Sequence, residues 1–109
     1  MMEDIQAWLE TGLKCPVKET AFETAPTERE YCVWLDEIST ITADGKIVGI
    51  VHNLTVEIYT KQSASPLHET FEKMLTEKGA IPEIYSEYND DMRTYITVYA
   101  FYFYEKRSA

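Results

Sequence analysis

The stretch from Thr42 to Tyr104 decides the fold, and it reads TADGKIVGIVHNLTVEIYTKQSASPLHETFEKMLTEKGAIPEIYSEYNDDMRTYITVYAFYFY. Its pattern predicts two antiparallel hairpins separated by one capped helix. The first hairpin turns at Asp44-Gly45, a pair that accepts the positive φ angles of a tight two-residue turn. The strand before the turn begins at Tyr31. The strand after it alternates apolar and polar residues, which is typical of a half-buried strand, and its apolar face is formed by Ile50, His52, Leu54, Val56 and Ile58.

The helix between the hairpins has clear start and stop signals. Ser65 is placed to cap its N-terminus, and Pro66 occupies the first helical position, where no backbone N–H is needed. Gly79 and Pro82 stop it. The apolar residues recur at helical spacing, at Leu67, Phe71, Met74 and Leu75. We therefore predict one amphipathic helix that lies on a sheet.

The second hairpin joins strands at 83–88 and 92–104 through a polar turn at 89–91. Its last strand has two apolar faces, because Ile96, Val98, Ala100 and Tyr102 alternate with an aromatic set. If helices cover one face, the aromatic face becomes the candidate subunit interface, since Tyr and Phe are enriched at protein contacts. That candidate interface is formed by Tyr95, Tyr99, Phe101 and Phe103. The alternative is a central strand that is buried on both sides within the monomer.

The segment before the first hairpin predicts a helix from Glu3 to Leu13, followed by strand-like residues from Val17 to Phe22. The polar residues from Glu23 to Glu30 predict a mobile loop. A chain of 109 residues has the size of one ordinary domain, residues 1–109. The sequence thus predicts an α+β fold: an antiparallel sheet of about four to five strands built from two hairpins, with two helices packed on it.

Composition limits the function. The formal net charge of −9 argues against a conventional nucleic-acid binder, which draws its affinity from clustered Lys and Arg. No apolar run is long enough to span a bilayer, and Glu3 and Asp4 stand where a signal peptide would be basic, so we expect a soluble protein made in a cytoplasm. Two cysteines in that setting, Cys15 and Cys32, are expected to be reduced thiols.

No catalytic, cofactor or metal motif stands out in the sequence. Neither the cysteines nor the two histidines have the spacing of a metal site, and four glycines are too few for a phosphate-binding loop. His52 is expected in the core and His68 on the surface. The adjacent acids Asp36-Glu37 point to opposite faces of a strand, so they do not form an acid/base pair. The sequence therefore predicts a protein that is not an enzyme and needs no cofactor.

Short segments along nearly the whole chain resemble the small tail-completion proteins of tailed bacteriophages and prophages. The resemblance is carried by residues 5–9 (IQAWL), 16–17 (PV), 31–35 (YCVWL), 42–46 (TADGK), 52–60 (HNLTVEIYT), 78–79 (KG), 87–88 (EY) and 94–99 (TYITVY). This chain has Glu28-Arg29-Glu30 where the family commonly has Leu-Pro before the tyrosine. It also has Asp44-Gly45 where Asp-Asn is common, which keeps the turn chemistry.

The resemblance implies a non-enzymatic virion protein at the head–tail junction. Such a protein caps the tail tube, joins it to the head connector and commonly forms a ring, often a hexamer. Its expected partners are copies of itself, the tail-tube protein and the head connector or stopper protein, without specific nucleic-acid binding or a membrane. Residues of the loop from Glu23 to Glu30 and of the tip of the first hairpin are candidates for docking to the tube or connector, because mobile loops often order on assembly. They are Thr24, Thr27, Glu28, Thr42, Asp44, Gly45 and Lys46.

Two other functions remain open at this level. One is another neck component, a head-closure or adaptor protein, which patterning in one sequence does not separate from tail completion. The other is a small acidic inhibitor that mimics DNA, which has the net charge of −9 as its support. Mimicry requires carboxylates arrayed along one surface, whereas many of the acidic residues here alternate with Lys or Thr.

Overall fold

The sequence signals account for where the elements begin and end in the computed structural model, which describes residues 4–22 and 30–106. In chain order the elements are α1 (Ile5–Leu13), β1 (Val17–Glu19), β2 (Tyr31–Ala43), β3 (Lys46–Thr60), α2 (Pro66–Lys78), β4 (Glu83–Asn89) and β5 (Thr94–Lys106). The described chain is thus an α+β fold with one five-stranded sheet and two helices.

The helix caps and the first turn follow local chemistry. In α2 the Ser65 side chain accepts a hydrogen bond from the Leu67 N–H, and Gly79 ends the helix with a φ of 72°, as predicted. In α1 the Asp4 side chain accepts from the Ala7 N–H, at 3.2 Å. The β2–β3 turn has positive φ at Asp44 and at Gly45, 52° and 75°, as a two-residue primed turn requires.

Five strands form the sheet in the order β1-β2-β3-β5-β4. The two predicted hairpins are confirmed, since β2 pairs with β3 and β4 pairs with β5, both antiparallel. The hairpins join through β3 and β5, which pair antiparallel from Gly49↔Lys106 to Thr60↔Tyr95, leaving the first three residues of β3 beyond the end of β5. β5 is therefore a central strand, as the alternative reading of its sequence required.

The prediction of an antiparallel sheet is wrong at one edge. β1 runs parallel to β2, with Val17 opposite Cys32, so the sheet is mixed. A parallel neighbour needs a long connection, which residues 20–30 provide. β1 also ends earlier than predicted, because Thr20 takes a φ of 69° and the Ala21 N–H turns back to the Glu19 carbonyl.

Both helices pack on one face of the sheet, and Phe71 of α2 lies at the centre of the contact. Its ring meets Tyr99 edge-on at 4.9 Å between centroids and lies 6.1 Å from Phe101. Trp8 of α1 contacts Phe71 at 5.9 Å and Phe103 at 6.5 Å. The core under the helices is completed by Leu9, Leu13, Leu54, Val56, Ile58 and Leu75.

This packing overturns the predicted subunit interface. The helices cover the aromatic face of β5, so Tyr99 and Phe101 are buried inside the subunit and Phe103 is half-buried against the core. The Tyr99 hydroxyl also donates to Glu72 of α2, at 3.0 Å. Tyr95 is half-buried on the same face, beside Tyr88. Side chains that already pack against α1 and α2 are not available to a second subunit, so this prediction is corrected.

Phe101 and Tyr102 are adjacent on β5 and point to opposite faces, which makes them a matched pair for testing the assignment. We expect Phe101→Asp to abolish cooperative folding. An unpartnered buried carboxylate adds at least several kcal/mol to the about 3–5 kcal/mol lost with the ring, against a total stability of about 5–15 kcal/mol. Tyr102→Asp should stay folded, because Tyr102 is 68% exposed. Urea denaturation followed by circular dichroism measures both, and a stably folded Phe101→Asp protein would contradict the assignment.

Candidate functional site

The face of the sheet that points away from the helices is only partly covered. At one end Tyr31 stacks on Tyr59 at 4.4 Å, and Phe22 meets Tyr31 edge-on. Ile96 and Val98 are buried at this end, so the first half of β5 is covered on both sides. Beyond them the face opens. We call the uncovered part of this surface the open face. It begins at the row of neighbouring residues Leu35, Thr55, Ala100 and Glu83, extends toward the tip of the β2–β3 hairpin, and includes Tyr85.

Large tyrosines stand on the open face. Tyr102 is 68% exposed, Tyr85 60% and Tyr104 54%, and Leu35 adds an aliphatic side chain. Beside Tyr102, the small residues Thr55 and Ala100 form the floor of a shallow depression of about 370 Å³. Exposed apolar side chains gathered on one face of a small domain are typical of an interaction surface. The tyrosines also offer hydroxyl groups to a partner.

The β2–β3 hairpin extends beyond the helices. Every residue from Glu37 to Ile47 is exposed, and the molecule is elongated, 51 × 28 × 23 Å. Three isoleucines in this part are solvent-exposed: Ile38, Ile41 and Ile47. The predicted docking residues of this hairpin lie at its tip, and they are Thr42, Asp44, Gly45 and Lys46. Their docking role stays a prediction. The other predicted docking residues, Thr24, Thr27 and Glu28, lie outside the described residues.

A carboxylate–imidazole–carboxylate bridge holds three strands together where this hairpin leaves the core. His52 Nδ1 of β3 lies 2.7 Å from Asp36 Oδ2 of β2, and His52 Nε2 lies 3.3 Å from Glu105 Oε1 of β5. The second oxygen of Asp36, Oδ1, is buried without a hydrogen-bond partner among the described residues. The imidazole ring is only 14% exposed, so the bridge is shielded from water.

The two carboxylates control the charge of His52. Burial lowers the pKa of the imidazole, but the hydrogen bonds and negative charges of Asp36 and Glu105 outweigh it, so the pKa is raised above its ordinary value. A protonated ring donates to both carboxylates at once. The sequence prediction placed His52 in the core without partners. The sequence alone does not predict the bridge. Asp36 and Glu105 are diagonal neighbours of His52 on adjacent strands, and such neighbours can be identified only when the strand register is known.

The structure also places the second histidine and the two cysteines of the sequence analysis. His68 is half-buried and lies 3.1 Å from the Thr97 hydroxyl, so the prediction of a plain surface histidine is corrected. No disulfide joins Cys15 and Cys32, and burial raises the pKa of the Cys32 thiol, with smaller contributions from Cys15 and Glu57. Within residues 4–22 and 30–106, no group of His, Cys, Asp and Glu side chains is arranged to hold a metal ion.

Comparisons with known proteins leave the family of this chain open. No protein-family model matches it, and no curated protein matches it in sequence. Neither helix in the part of the chain that the structure describes is long and apolar enough to cross a membrane.

The His52 bridge predicts that stability depends on pH. Because the folded pKa of His52 is raised, its contribution is complete below the unfolded value of about 6.5 and is lost as the pH rises through the folded pKa. We expect His52→Gln to lower the urea midpoint more at about pH 5.5 than at about pH 8.5. At each pH the urea midpoint of the variant is subtracted from that of the wild type, so the contributions of groups that titrate equally in both proteins cancel.

The matched variant is Asp36→Asn, which removes the carboxylate that accepts the shorter hydrogen bond. In the Asp36→Asn background, the effect of His52→Gln should vary much less with pH. An equal effect of His52→Gln at both pH values in the wild-type background would contradict the role of the bridge.

Proposed function

We propose that this chain is a non-enzymatic structural protein of a tailed phage or prophage, which caps the tail tube at the head–tail junction and joins it to the head connector as a ring. The sequence resemblance to tail-completion proteins supports this proposal along nearly the whole chain. The α+β fold and its two hairpins agree with the elements that carry the resemblance, including the turn at Asp44-Gly45.

The observation that carries the proposal is the open face. A domain whose single core already has two helices on one side keeps Tyr85, Tyr102 and Tyr104 more than half exposed on the other. Tyrosine supplies contact area and a hydrogen-bonding hydroxyl at a low cost in side-chain entropy, which suits a contact surface. This supports a protein that works by assembly.

A ring needs two different patches on each subunit, because each subunit meets its neighbours through unlike surfaces. Two exposed surfaces lie on different parts of this molecule, the open face and the tip of the β2–β3 hairpin. The tip carries Ile41 and Ile47, which are exposed and apolar, and the uncharged run from Ile38 to Ala43. Under the proposal, one patch contacts the next subunit, and the other contacts the tube or the connector.

The decisive experiment is negative-stain imaging of tails made with and without this protein. We expect tail tubes of uncontrolled length and no joined heads when the gene is deleted, because the growing end is left uncapped. Tubes of normal length that fail to join heads would instead indicate an adaptor or head-closure role. Normal infectious particles from the deletion strain would contradict any neck function.

Supplying variants of this protein to the deletion strain tests whether assembly requires the open face. Tyr85→Ser combined with Tyr102→Ser should fail to restore infectious particles, because it removes the two most exposed tyrosines of the open face. Tyr88→Ser is the matched control, since Tyr88 is 47% exposed but lies on the helix side of the same edge strand, opposite Tyr95. Equal restoration by the double variant and by the control would remove the open face from the proposal.

A further inference from the structure

The charge of the open face narrows the class of partner that can cover it. Four glutamates lie on the side of the sheet that points away from the helices: Glu37 and Glu83 belong to the open face, and Glu57 and Glu87 border it. The lysines of the described strands lie at the margins, at Lys18, Lys46 and Lys106. The middle of this face is therefore both aromatic and negative.

The described residues supply no ion-pair partner for these carboxylates. In the described part of the chain none of the four glutamates forms an ion pair, and Glu57 accepts a hydrogen bond from the Tyr59 hydroxyl at 2.8 Å. Glu37 and Glu83 line opposite sides of the depression, on β2 and β4. Three strand spacings of about 4.8 Å separate those strands, so one arginine does not reach both carboxylates, whereas two basic side chains on one segment do.

The shape of the depression suits a segment that lies across the strands. Its floor at Thr55 and Ala100 has no large side chain, and Tyr102 and Ile81 stand at its sides. An extended chain advances about 3.3 Å per residue, so basic side chains four residues apart on one face span about the same distance as three strand spacings. An arginine in this position also lies against the exposed ring of Tyr102, where a cation–π contact adds to the charge attraction.

The same charges disfavour the other occupants. A second copy of this chain carries the same net charge of −9 and brings the same glutamates, so two open faces repel each other. Nucleic acid is repelled by the same field. A segment of another protein with paired basic residues satisfies the charges and covers the tyrosines.

We propose that the open face is a docking site for a basic segment of a different protein, with two arginines or lysines reaching Glu37 and Glu83 while the chain between them lies over Thr55 and Ala100. The site itself stands on the geometry of this chain, and it rests on the proposed function only for the identity of the partner, which would be the tube or connector protein. Self-assembly then uses another surface, and the hairpin tip is the candidate, because Asp44 and Lys46 balance each other's charge and the run from Ile38 to Ala43 is uncharged.

A defined peptide tests the site in the purified protein. The probe is a twelve-residue Thr/Val-rich peptide with two arginines four residues apart, and the control probe replaces both arginines with citrulline, which has nearly the same shape without the charge. We expect the arginine peptide to bind, with amide shifts in the ¹H–¹⁵N spectrum concentrated at Tyr85, Ala100 and Tyr102. The citrulline peptide should bind at least about tenfold more weakly, because charge-assisted hydrogen bonds to carboxylates are lost.

Two double variants that change the net charge equally distinguish binding at a specific site from general electrostatic attraction of the peptide to an acidic protein. Glu37→Lys with Glu83→Lys should weaken the arginine peptide at least about tenfold. Glu10→Lys with Glu77→Lys changes the net charge equally, but on exposed helix positions near the C-termini of α1 and α2, where a positive charge is tolerated. That control should change the affinity less than about threefold, since distant surface charges are screened.

Equal losses in both double variants, shifts spread over the whole surface, equal binding of the citrulline peptide, or no binding of the arginine peptide would each overturn the site. None of these results depends on phage assembly. If the deletion phage is normal and the peptide binds at a localised site, the neck function is rejected and the site is kept. If the deletion phage has defective tails and the peptide does not bind at this site, the site alone is rejected.

Discussion

The edge-on contact between Phe71 of α2 and Tyr99 of β5 is the interaction on which the rest of the structure depends. It places α2 over the aromatic face of the central strand, and Trp8 of α1 joins the same cluster. Both Phe71 and Tyr99 are completely buried, and the Tyr99 hydroxyl is satisfied by Glu72. Once the helices occupy this face, the other face of β5 is buried at Ile96 and Val98 and exposed at Tyr102 and Tyr104.

The second half of the sheet depends on a different kind of interaction. Beyond the helices, the residues of the β2–β3 hairpin from Glu37 to Ile47 are exposed, and the backbone pairing between β2 and β3 carries most of its order, with β5 beside β3 as far as Gly49. The His52 bridge to Asp36 and Glu105 ties the three strands together at the point where the core ends. A shielded ionic bridge is a weak source of net stability, but it discriminates strongly between registers, because a shift of one residue would separate the charges.

The proposed function rests on the surfaces that this arrangement leaves uncovered. The aromatic residues predicted to form a subunit interface, Tyr99, Phe101 and Phe103, belong to the interior of the subunit. Three tyrosines on the opposite face of the sheet remain exposed, and glutamates lie on the same face. A surface that is both aromatic and acidic favours a basic protein partner and disfavours self-contact. The hairpin tip differs, because the charges of Asp44 and Lys46 balance and the neighbouring run from Ile38 to Ala43 is uncharged. Two surfaces of different chemistry suit the proposed role of joining unlike neighbours at the head–tail junction.

The sequence by itself determined the α+β class, both hairpins, the Asp44-Gly45 turn and both ends of α2, because turns, caps and alternation are local properties of consecutive residues. It also identified β5 as a strand with two apolar faces. Only the tertiary structure decided which face α1 and α2 cover, that β1 runs parallel to β2, and that His52 meets two carboxylates. These features join residues far apart in the chain, and either face of β5 offered enough apolar area to attract a helix. The choice was made by the fit of Phe71 and Trp8 to Tyr99, Phe101 and Phe103, which no single segment encodes.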